Sequence, residues 1–159
     1  MKIVALIVCD DHLYSGGYKT INSLKYFNPE VEVVLYNTKE IERIKSKYKI
    51  PPNLWFSAPF FCQDYVENNG RPDILIKLGA DCLVLDKIDE IINLNYDVAA
   101  ARNDSDEIGD RDERHNRPDI IRDIPNHEWI NADCVAIKNF NFLKERNQKF
   151  LLYLLVAHS

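Results

Sequence analysis

The sequence lacks the features of several broad protein classes. Its longest apolar run, FLLYLLVA at residues 150–157, is far shorter than the roughly 20 residues of a membrane-spanning helix. The apolar start, MKIVALIVCDD, has no small-residue cleavage site and runs into two aspartates, so it predicts a buried first strand and not a signal peptide. The four cysteines form no CxxC pair, which argues against zinc binding and predicts reduced core cysteines in a cytoplasmic protein.

An excess of positive charge is also missing. The formal net charge of −5 argues against nonspecific binding to nucleic acid or to an anionic membrane, although it permits a nucleotide held through a metal ion. With 46% hydrophobic and 28% charged residues, the composition is that of an ordinary globular protein. The length of 159 residues predicts a single domain, spanning residues 1–159, with enough chain to bury a core.

Strand-like and helix-like segments alternate along the chain. Continuous apolar runs predict strands at 2–9, 31–37, 73–78, 96–102 and 129–139, and the third strand is expected to resume at 82–85 after a break. Apolar residues at helical spacing predict helices at 18–27, 38–48, 57–70, 86–93 and 141–159, with Thr38 and Asp86 as N-caps. Residues 103–128 are polar and predict a long loop. The alternation predicts an α/β layered domain around a mostly parallel sheet.

Polar residues gather where the predicted strands end. Asp10-Asp11 follows the first strand, Asp81 lies at the break in the third, and Asn103-Asp104 follows the fourth. Sheets of this kind bind ligands outside the carboxyl ends of their strands, so we expect these three clusters to be neighbours in one acidic site. Asn131 and Asp133 lie near the start of the last strand.

The break in the third strand, Gly79-Ala80-Asp81, puts a carboxylate directly after a buried apolar run. A carboxylate in this position can hold Mg2+ or Mn2+, hard cations that prefer oxygen ligands and bridge to phosphates. Small residues such as Gly79 and Ala80 let a diphosphate approach the backbone closely. The alternative is that Asp81 only caps the turn, and spacing alone leaves both interpretations open.

Three segments together resemble those of a known family. IKLGADCLVLDKIDEI is similar to the LDADTLVL segment of GT-A glycosyltransferases, most closely glycosyltransferase family 8, the glycogenin-like enzymes. ALIVCDDHLYSGGYKTINSLKYF resembles that family's first strand, nucleotide loop and first helix, and DVAAARND followed by WINADCVAIKN resembles its AAxD and FNSGV segments. The resemblance covers most of the chain in the expected order, and it implies a GT-A-like fold, that of the nucleotide-diphospho-sugar transferases.

The resemblance also implies roles for individual residues. Asp81 matches the second Asp of the family's Asp-x-Asp motif, the metal ligand, whereas Gly79 replaces the first. Asn131 matches the Asn that faces the sugar, and Asp133 replaces the Gly of the same segment. Asp10, Asp11 and Tyr14 fall where the family binds uracil and ribose. The implied donor-binding residues are therefore Asp10, Asp11, Tyr14, Gly79, Ala80, Asn103 and Asn131.

The reaction that the resemblance implies is transfer of a sugar from a UDP-sugar to an acceptor hydroxyl, with Mn2+ or Mg2+ as the cofactor. The acceptor, a glycan, a protein or a small molecule, is not identified by any residue, and neither is a catalytic base or nucleophile. The family has an Asp-Gln segment and a His metal ligand beyond its FNSGV segment, and this sequence ends at Ser159 before either. We therefore expect a truncated enzyme, a diverged minimal enzyme or an inactive binding relative.

Two rival interpretations stay open at this point. A receiver-type phosphoacceptor domain also places an acidic pair after its first strand, which Asp10-Asp11, Asp81 and Lys138 imitate, but Lys138 is followed by Asn-Phe and not by the usual Pro. A non-catalytic domain that binds a nucleotide-sugar or a partner protein would explain the missing first Asp of the motif. The run at 150–157 fits either a buried closing helix or the seam of a homo-oligomer.

Overall fold

The structure is a computed structural model that describes residues 1–50, 58–102, 130–141 and 143. Within these ranges it has five strands and four helices. Their bounds are β1 Ile3–Val8, α1 Tyr14–Phe27, β2 Glu32–Tyr36, α2 Thr38–Tyr48, α3 Ala58–Asn69, β3 Ile74–Gly79, α4 Asp89–Asn93, β4 Val98–Arg102 and β5 Ile130–Ile137. The predicted loop at 103–128, nearly all of the predicted helix at 141–159 and the apolar run at 150–157 lie outside the described residues.

The five strands form one sheet in the order β2-β1-β3-β5-β4. β1 pairs in parallel with β2 and β3, whereas β5 is antiparallel to both of its neighbours, β3 and β4. β4 therefore runs in the same direction as β1, β2 and β3, and the predicted mostly parallel sheet is confirmed. The antiparallel β5 excludes the receiver domain, whose doubly wound sheet has the order 2-1-3-4-5 and no such strand.

The core lies on both faces of the sheet, which explains why β1 and β3 are continuously apolar. Alternate residues of these strands point to opposite faces because side chains in a strand alternate with a period of two. One apolar cluster joins the sheet to α2 and α3 and includes Val4, Leu6, Ile44, Phe60, Phe61, Tyr65 and Leu75. The other joins the sheet to α1 and includes Ile3, Ala5, Ile7, Leu24, Ile74 and Ile76. In the described ranges no helix is both long and apolar enough to cross a bilayer.

The start of α2 differs by one residue from the prediction. The N-cap is Asn37, whose Oδ1 accepts hydrogen bonds from the backbone N–H groups of Lys39 (2.9 Å) and Glu40 (3.3 Å). The Glu40 carboxylate in turn accepts from the backbone N–H of Asn37 at 3.2 Å, which completes a capping box. The predicted cap, Thr38, is the first residue of the helix. Two adjacent residues both suit a cap, and the glutamate three positions after Asn37 decides between them.

The prediction that residues 82–85 resume the third strand is wrong. β3 ends at Gly79, and the segment after it pairs with no described strand. The backbone N–H of Val84 donates instead to Oγ of Ser23 on α1, at 3.1 Å. The segment alternates as a strand would, with Val84 packed against the core and its neighbours Leu83 and Leu85 exposed by 61% and 72%. The apolar run that predicted a strand therefore does adopt alternating burial, but a helix and not another strand supplies the hydrogen-bond partner.

The predicted cap of α4 is also wrong. α4 begins at Asp89, and its N-cap, Ile88, makes no side-chain capping bond. The carboxylate of Asp86 accepts from the backbone N–H of Lys87 at 2.7 Å. The buried side chain of Asn28 makes two contacts with this stretch, donating to the Asp86 carbonyl at 3.2 Å and accepting from the Ile88 N–H at 2.9 Å. A distant asparagine therefore holds the entry to α4 in place of the local aspartate.

Candidate functional site

The loop after β1 places two acidic side chains in different environments. Asp10 folds back on its own loop, where its Oδ1 accepts hydrogen bonds from the backbone N–H groups of His12 (3.1 Å) and Leu13 (3.0 Å). This turn leads the chain into α1. Asp11 is exposed, and its backbone N–H donates to Oγ1 of Thr38 at 3.0 Å. Asp10 therefore shapes the loop, whereas Asp11 presents its carboxylate to solvent.

An open cavity of about 670 Å³ lies between the ends of β1 and β2. Its lining comes from the β1–α1 loop with the start of α1 and from the N-cap and first two turns of α2, and the Asp11–Thr38 hydrogen bond joins these two parts. The cavity is large enough for a nucleoside, since small-molecule sites commonly measure about 300–1,000 Å³. The residues that line it are Asp11, Tyr14, Asn37, Thr38, Lys39 and Glu42.

Tyr14 gives this cavity an aromatic wall. Its ring is 43% exposed and packs edge-on against the ring of Tyr18, with 4.9 Å between the centroids. The two hydroxyl oxygens lie 3.0 Å apart, and this hydrogen bond raises the pKa of Tyr14. A ring that is fixed by its neighbour and open on one side is a suitable surface for stacking a base.

The break after β3 is a tight turn that leaves Asp81 in solvent. The backbone N–H of Cys82 donates to the carbonyl of Gly79 at 3.3 Å, while Gly79 and Ala80 are buried and Asp81 is exposed. No described residue forms a hydrogen bond or an ion pair with the Asp81 carboxylate. Among the described residues, therefore, the Asp81 side chain caps no backbone group of the turn.

The register of the sheet brings most of the predicted site residues to one edge. β1, β3 and β4 end there, and β5 begins there because it runs in the opposite direction. Cys134 is paired with Leu78 and Ile130 with Arg102, so Asn131 and Asp133 are located in β5 at the edge where Gly79 ends β3. Asn103 and Asp104 lie outside the described residues.

The described residues supply few metal ligands at this edge. They contain no group of three or more His, Cys, Asp or Glu side chains arranged to hold an ion. The chemistry of the Asp81 carboxylate nevertheless suits Mg2+ or Mn2+, because such ions retain several waters and often use only one or two carboxylates together with substrate phosphates. Among the described residues, Asp81 would supply one ligand to such an ion, and a bound phosphate and water would supply the others.

Sequence reasoning missed several residues that build this edge. Thr38, Lys39 and Glu42 line the cavity, and nothing in their local pattern distinguishes them from ordinary residues of a first helical turn. Gly16 and Thr20 pack against the turn that carries Asp81. Two small residues four positions apart on one helix were the available signal, because such a pair marks a face that another part of the backbone approaches closely.

No family model matches the sequence, and no curated protein matches it significantly. Solved structures do match. The apo form of the glycosyltransferase GlyE from Streptococcus pneumoniae TIGR4 aligns with 99% of this chain at a TM-score of 0.59 and 15% sequence identity. The apo form of the bifunctional glycosyltransferase WbbM aligns with 92% of it at a TM-score of 0.54 and 15% identity.

This chain has a GT-A-type glycosyltransferase fold. A third neighbour with this fold, the galactosyltransferase LgtC solved with donor and acceptor sugar analogs, aligns with 92% of the chain at a TM-score of 0.52 and 14% identity. The chain covers only 39% of the GlyE chain, 33% of WbbM and 60% of LgtC. The predicted GT-A-like fold is thereby confirmed, while the assignment to family 8 stays a prediction.

Proposed function

We propose that the chain is the nucleotide-sugar part of a glycosyltransferase that uses a UDP-sugar donor and a divalent cation, Mn2+ or Mg2+. In this proposal the cavity beside Tyr14 and Asp11 receives the uridine. The Asp81 carboxylate lies toward the diphosphate, and the start of β5, with Asn131, lies toward the sugar. The acceptor contributes a hydroxyl group and belongs to a glycan, a protein or a small molecule.

The observation that carries this proposal is that two different surfaces lie at the carboxyl ends of the parallel strands. An exposed carboxylate without a described partner lies in the turn that follows the central strand, β3, and an open cavity with an aromatic wall lies beside the neighbouring strand, between the ends of β1 and β2. A UDP-sugar combines a flat base with a diphosphate that carries two negative charges, and it needs both kinds of surface.

Each described residue has a distinct part in the proposed binding. The Tyr14 ring stacks on the base, and the Asp11 carboxylate accepts hydrogen bonds from the base or the ribose. Asp10 holds the loop in shape through its bonds to His12 and Leu13. Gly79 and Ala80 bring backbone, without bulky side chains, to the point where the diphosphate passes. A divalent cation at Asp81, when bound, supplies charge neutralisation for the leaving diphosphate.

A titration of UDP tests this proposal. Binding to the 159-residue chain is measured by calorimetry with Mn2+ and with EDTA, and is repeated for Asp81→Ala. We expect Mn2+ to tighten binding by about tenfold or more and the substitution to remove that gain, because the Asp81 carboxylate would hold the ion and the ion's charge would attract the diphosphate. Binding that responds neither to the metal nor to Asp81→Ala would rule out the assignment of Asp81.

A second candidate function is binding of a nucleotide-sugar without catalysis. It is favoured by Gly79, which stands where the resemblance calls for the first Asp of the metal motif. Incubation with a panel of UDP-sugars and Mn2+ separates the two candidates, with released UDP as the readout. Release above the rate of the Asp81→Ala variant supports an enzyme, whereas tight UDP binding with no release from any sugar supports a binding domain.

A further inference from the structure

The segment that carries Asp81 is bound along helix α1 and not to another strand. Three polar side chains of α1 and its C-cap contact the backbone of residues 79–88 in order. Thr20 contacts the turn at 79–82, Ser23 accepts from the N–H of Val84, and Asn28 brackets residues 86 and 88. The position of this segment therefore depends on side chains located about 60 residues earlier in the sequence.

Thr20 contacts the backbone on both sides of Asp81. Its fully buried Oγ1 lies 3.0 Å from the carbonyl oxygen of Ala80 and 2.6 Å from that of Cys82, with the Gly79 carbonyl oxygen at 3.4 Å. A hydroxyl has a single proton to donate, so these carbonyls share one donor. The hydroxyl thus contacts the carbonyl of the residue before Asp81 and that of the residue after it.

Gly16, one turn earlier on α1, approaches the same turn without a side chain. A Cβ built on Gly16 would lie 2.7 Å from the carbonyl oxygen of Ala80, a separation that real Cβ atoms do not show. The glycine is needed here for space. Helix and turn are therefore in backbone contact immediately before Asp81, and any larger residue has to push the turn away.

The geometry points to Thr20 and Gly16 as positioning residues for the Asp81 carboxylate, and this inference rests on the proposed metal and diphosphate binding at that residue. Because no described residue holds the Asp81 side chain, its location is set by the backbone that Thr20 and Gly16 fix. Displacing that backbone displaces the Cα atom from which the carboxylate extends. Residues that orient a metal ligand commonly change metal affinity by about 10- to 100-fold when they are replaced.

Thr20→Val provides the test, because it removes the hydroxyl and keeps the branched shape of the side chain. Two quantities are measured on the 159-residue chain: the affinity for Mn2+ in the presence of UDP, by electron paramagnetic resonance of the free ion, and the affinity for UDP in EDTA, by calorimetry. We expect the Mn2+ affinity to fall by about 10- to 100-fold while the affinity for UDP in EDTA changes by less than about twofold. Thr20→Ser, which restores the hydroxyl, should recover most of the Mn2+ affinity.

Two further variants separate positioning from general stability. Ser23→Ala removes another hydrogen bond between an α1 hydroxyl and this segment, one turn further along the helix, in which Ser23 accepts from the Val84 N–H and does not contact the Asp81 turn. It should leave the Mn2+ affinity unchanged. Gly16→Ala displaces the turn through a steric clash with the Ala80 carbonyl and not through a lost hydrogen bond. It should weaken Mn2+ binding as Thr20→Val does. If Thr20→Val does not fold, Gly16→Ala and Thr20→Ser carry the test.

The outcomes also distinguish this inference from the proposed function. If wild-type protein binds Mn2+ no better with UDP than without it, the proposed function is wrong and the inference falls with it. If wild-type protein shows metal-dependent binding that Gly16→Ala and Thr20→Val both preserve, the positioning role alone is overturned. An equal loss of UDP binding with and without Mn2+ also overturns it, because that result indicates a structural role for the helix contact.

Discussion

The carboxylates of Asp64 and Asp81 have opposite environments: the first is buried and hydrogen-bonded, and the second is exposed. The Asp64 side chain is 1% exposed on α3, and it receives two hydrogen bonds from the Arg43 guanidinium (3.1 and 2.6 Å) and one from the Lys47 ammonium (2.8 Å). Asp81 is exposed and has no described partner. A carboxylate whose acceptor positions are filled by the protein stabilises the packing of two helices, whereas one left open at a strand end is available to a ligand.

The contrast extends to the surroundings of each residue. Around Asp64, Lys47 also contacts Glu67 at 2.8 Å, and the Tyr48 hydroxyl donates to the same glutamate at 2.9 Å. Burial and this hydrogen bond raise the pKa of Tyr48 to about 12. Around Asp81, by contrast, the contacts join uncharged side chains of α1 to backbone groups, with Thr20 donating to carbonyls and Ser23 accepting from an N–H. Ion pairs between α2 and α3 stabilise that layer. The turn after β3 is stabilised by hydrogen bonds from α1, and its only carboxylate, that of Asp81, is exposed to solvent.

The largest expected effect on stability follows from breaking the Asp64 network. Asp64→Asn leaves Arg43 and Lys47 facing a neutral amide in a nearly solvent-free position, and we expect a loss of about 3 kcal/mol in the free energy of unfolding at pH 7. Urea denaturation measures it. A loss below about 1 kcal/mol would mean that the half-exposed cations are adequately solvated without the carboxylate.

Acid should remove the same stabilisation. Burial raises the pKa of Asp64, but the hydrogen bonds from Arg43 and Lys47 outweigh it and hold the pKa below its ordinary value of 3.8. A carboxyl group whose pKa is lowered by folding contributes stability that is present above the unfolded value and is lost as pH falls through the folded value. The difference between wild type and Asp64→Asn should therefore be constant from pH 5 to about pH 8 and should shrink below about pH 4 in urea titrations. A difference that grows in acid would contradict the lowered pKa.

A smaller effect is expected at the cavity wall. Asn37→Ala removes the N-cap of α2 and its capping box with Glu40, which should cost about 1 kcal/mol in the same urea assay. Thr38→Ala is the matched control, since Thr38 does not cap the helix and bonds instead to the Asp11 N–H. If Thr38→Ala cost more than Asn37→Ala, the loop contact and not the cap would be what holds this wall.

The smallest expected change in the free energy of unfolding is that of Asp81→Asn, which compares the two aspartates directly. Asp81→Asn is the same substitution as Asp64→Asn, at an exposed carboxylate without a described partner, and it should change the free energy of unfolding by no more than about 0.5 kcal/mol. A stabilisation by Asp81→Asn would be consistent with relief of repulsion between charges at the site. A loss similar to that of Asp64→Asn would show that Asp81 is a structural residue after all.

Much of the fold could be predicted because it depends on local patterns. The apolar runs of β1 and β3 predict strands covered on both faces, and Ile41, Ile44 and Tyr48 predict the apolar face of α2. The apolar run at 82–85 predicts a strand wrongly, because an apolar run indicates burial and does not indicate which groups the backbone bonds to. Only the distant Ser23 and Thr20, brought close by folding, reveal that partner.

The candidate site was predictable in its location more than in its contacts. Strand ends of an α/β sheet converge by topology, so Asp11 and Asp81 are expected at one edge. The start of β5 joins them only because that strand is antiparallel to its neighbours. The two adjacent aspartates are indistinguishable in the sequence. Only the folded four-residue turn shows that the Asp10 carboxylate is hydrogen-bonded within its own loop while the Asp11 carboxylate is exposed. Lys39 and Glu42 enter the site only because the β2–α2 connection folds beside the β1–α1 loop.

The placement of β5 between β3 and β4 has a consequence for how the sheet is assembled during synthesis. β4 has β5 as its only neighbour among the described strands, and β5 follows it at residue 130, after a further 27 residues have been added. β1, β2 and β3 can pair as soon as they emerge from the ribosome, but β4 has to wait on the order of seconds with both of its backbone edges open. Among the described strands the last to be synthesised, β5, therefore takes an interior position, and its arrival at once joins β4 to the sheet and adds the start of β5 to the edge where β3 ends.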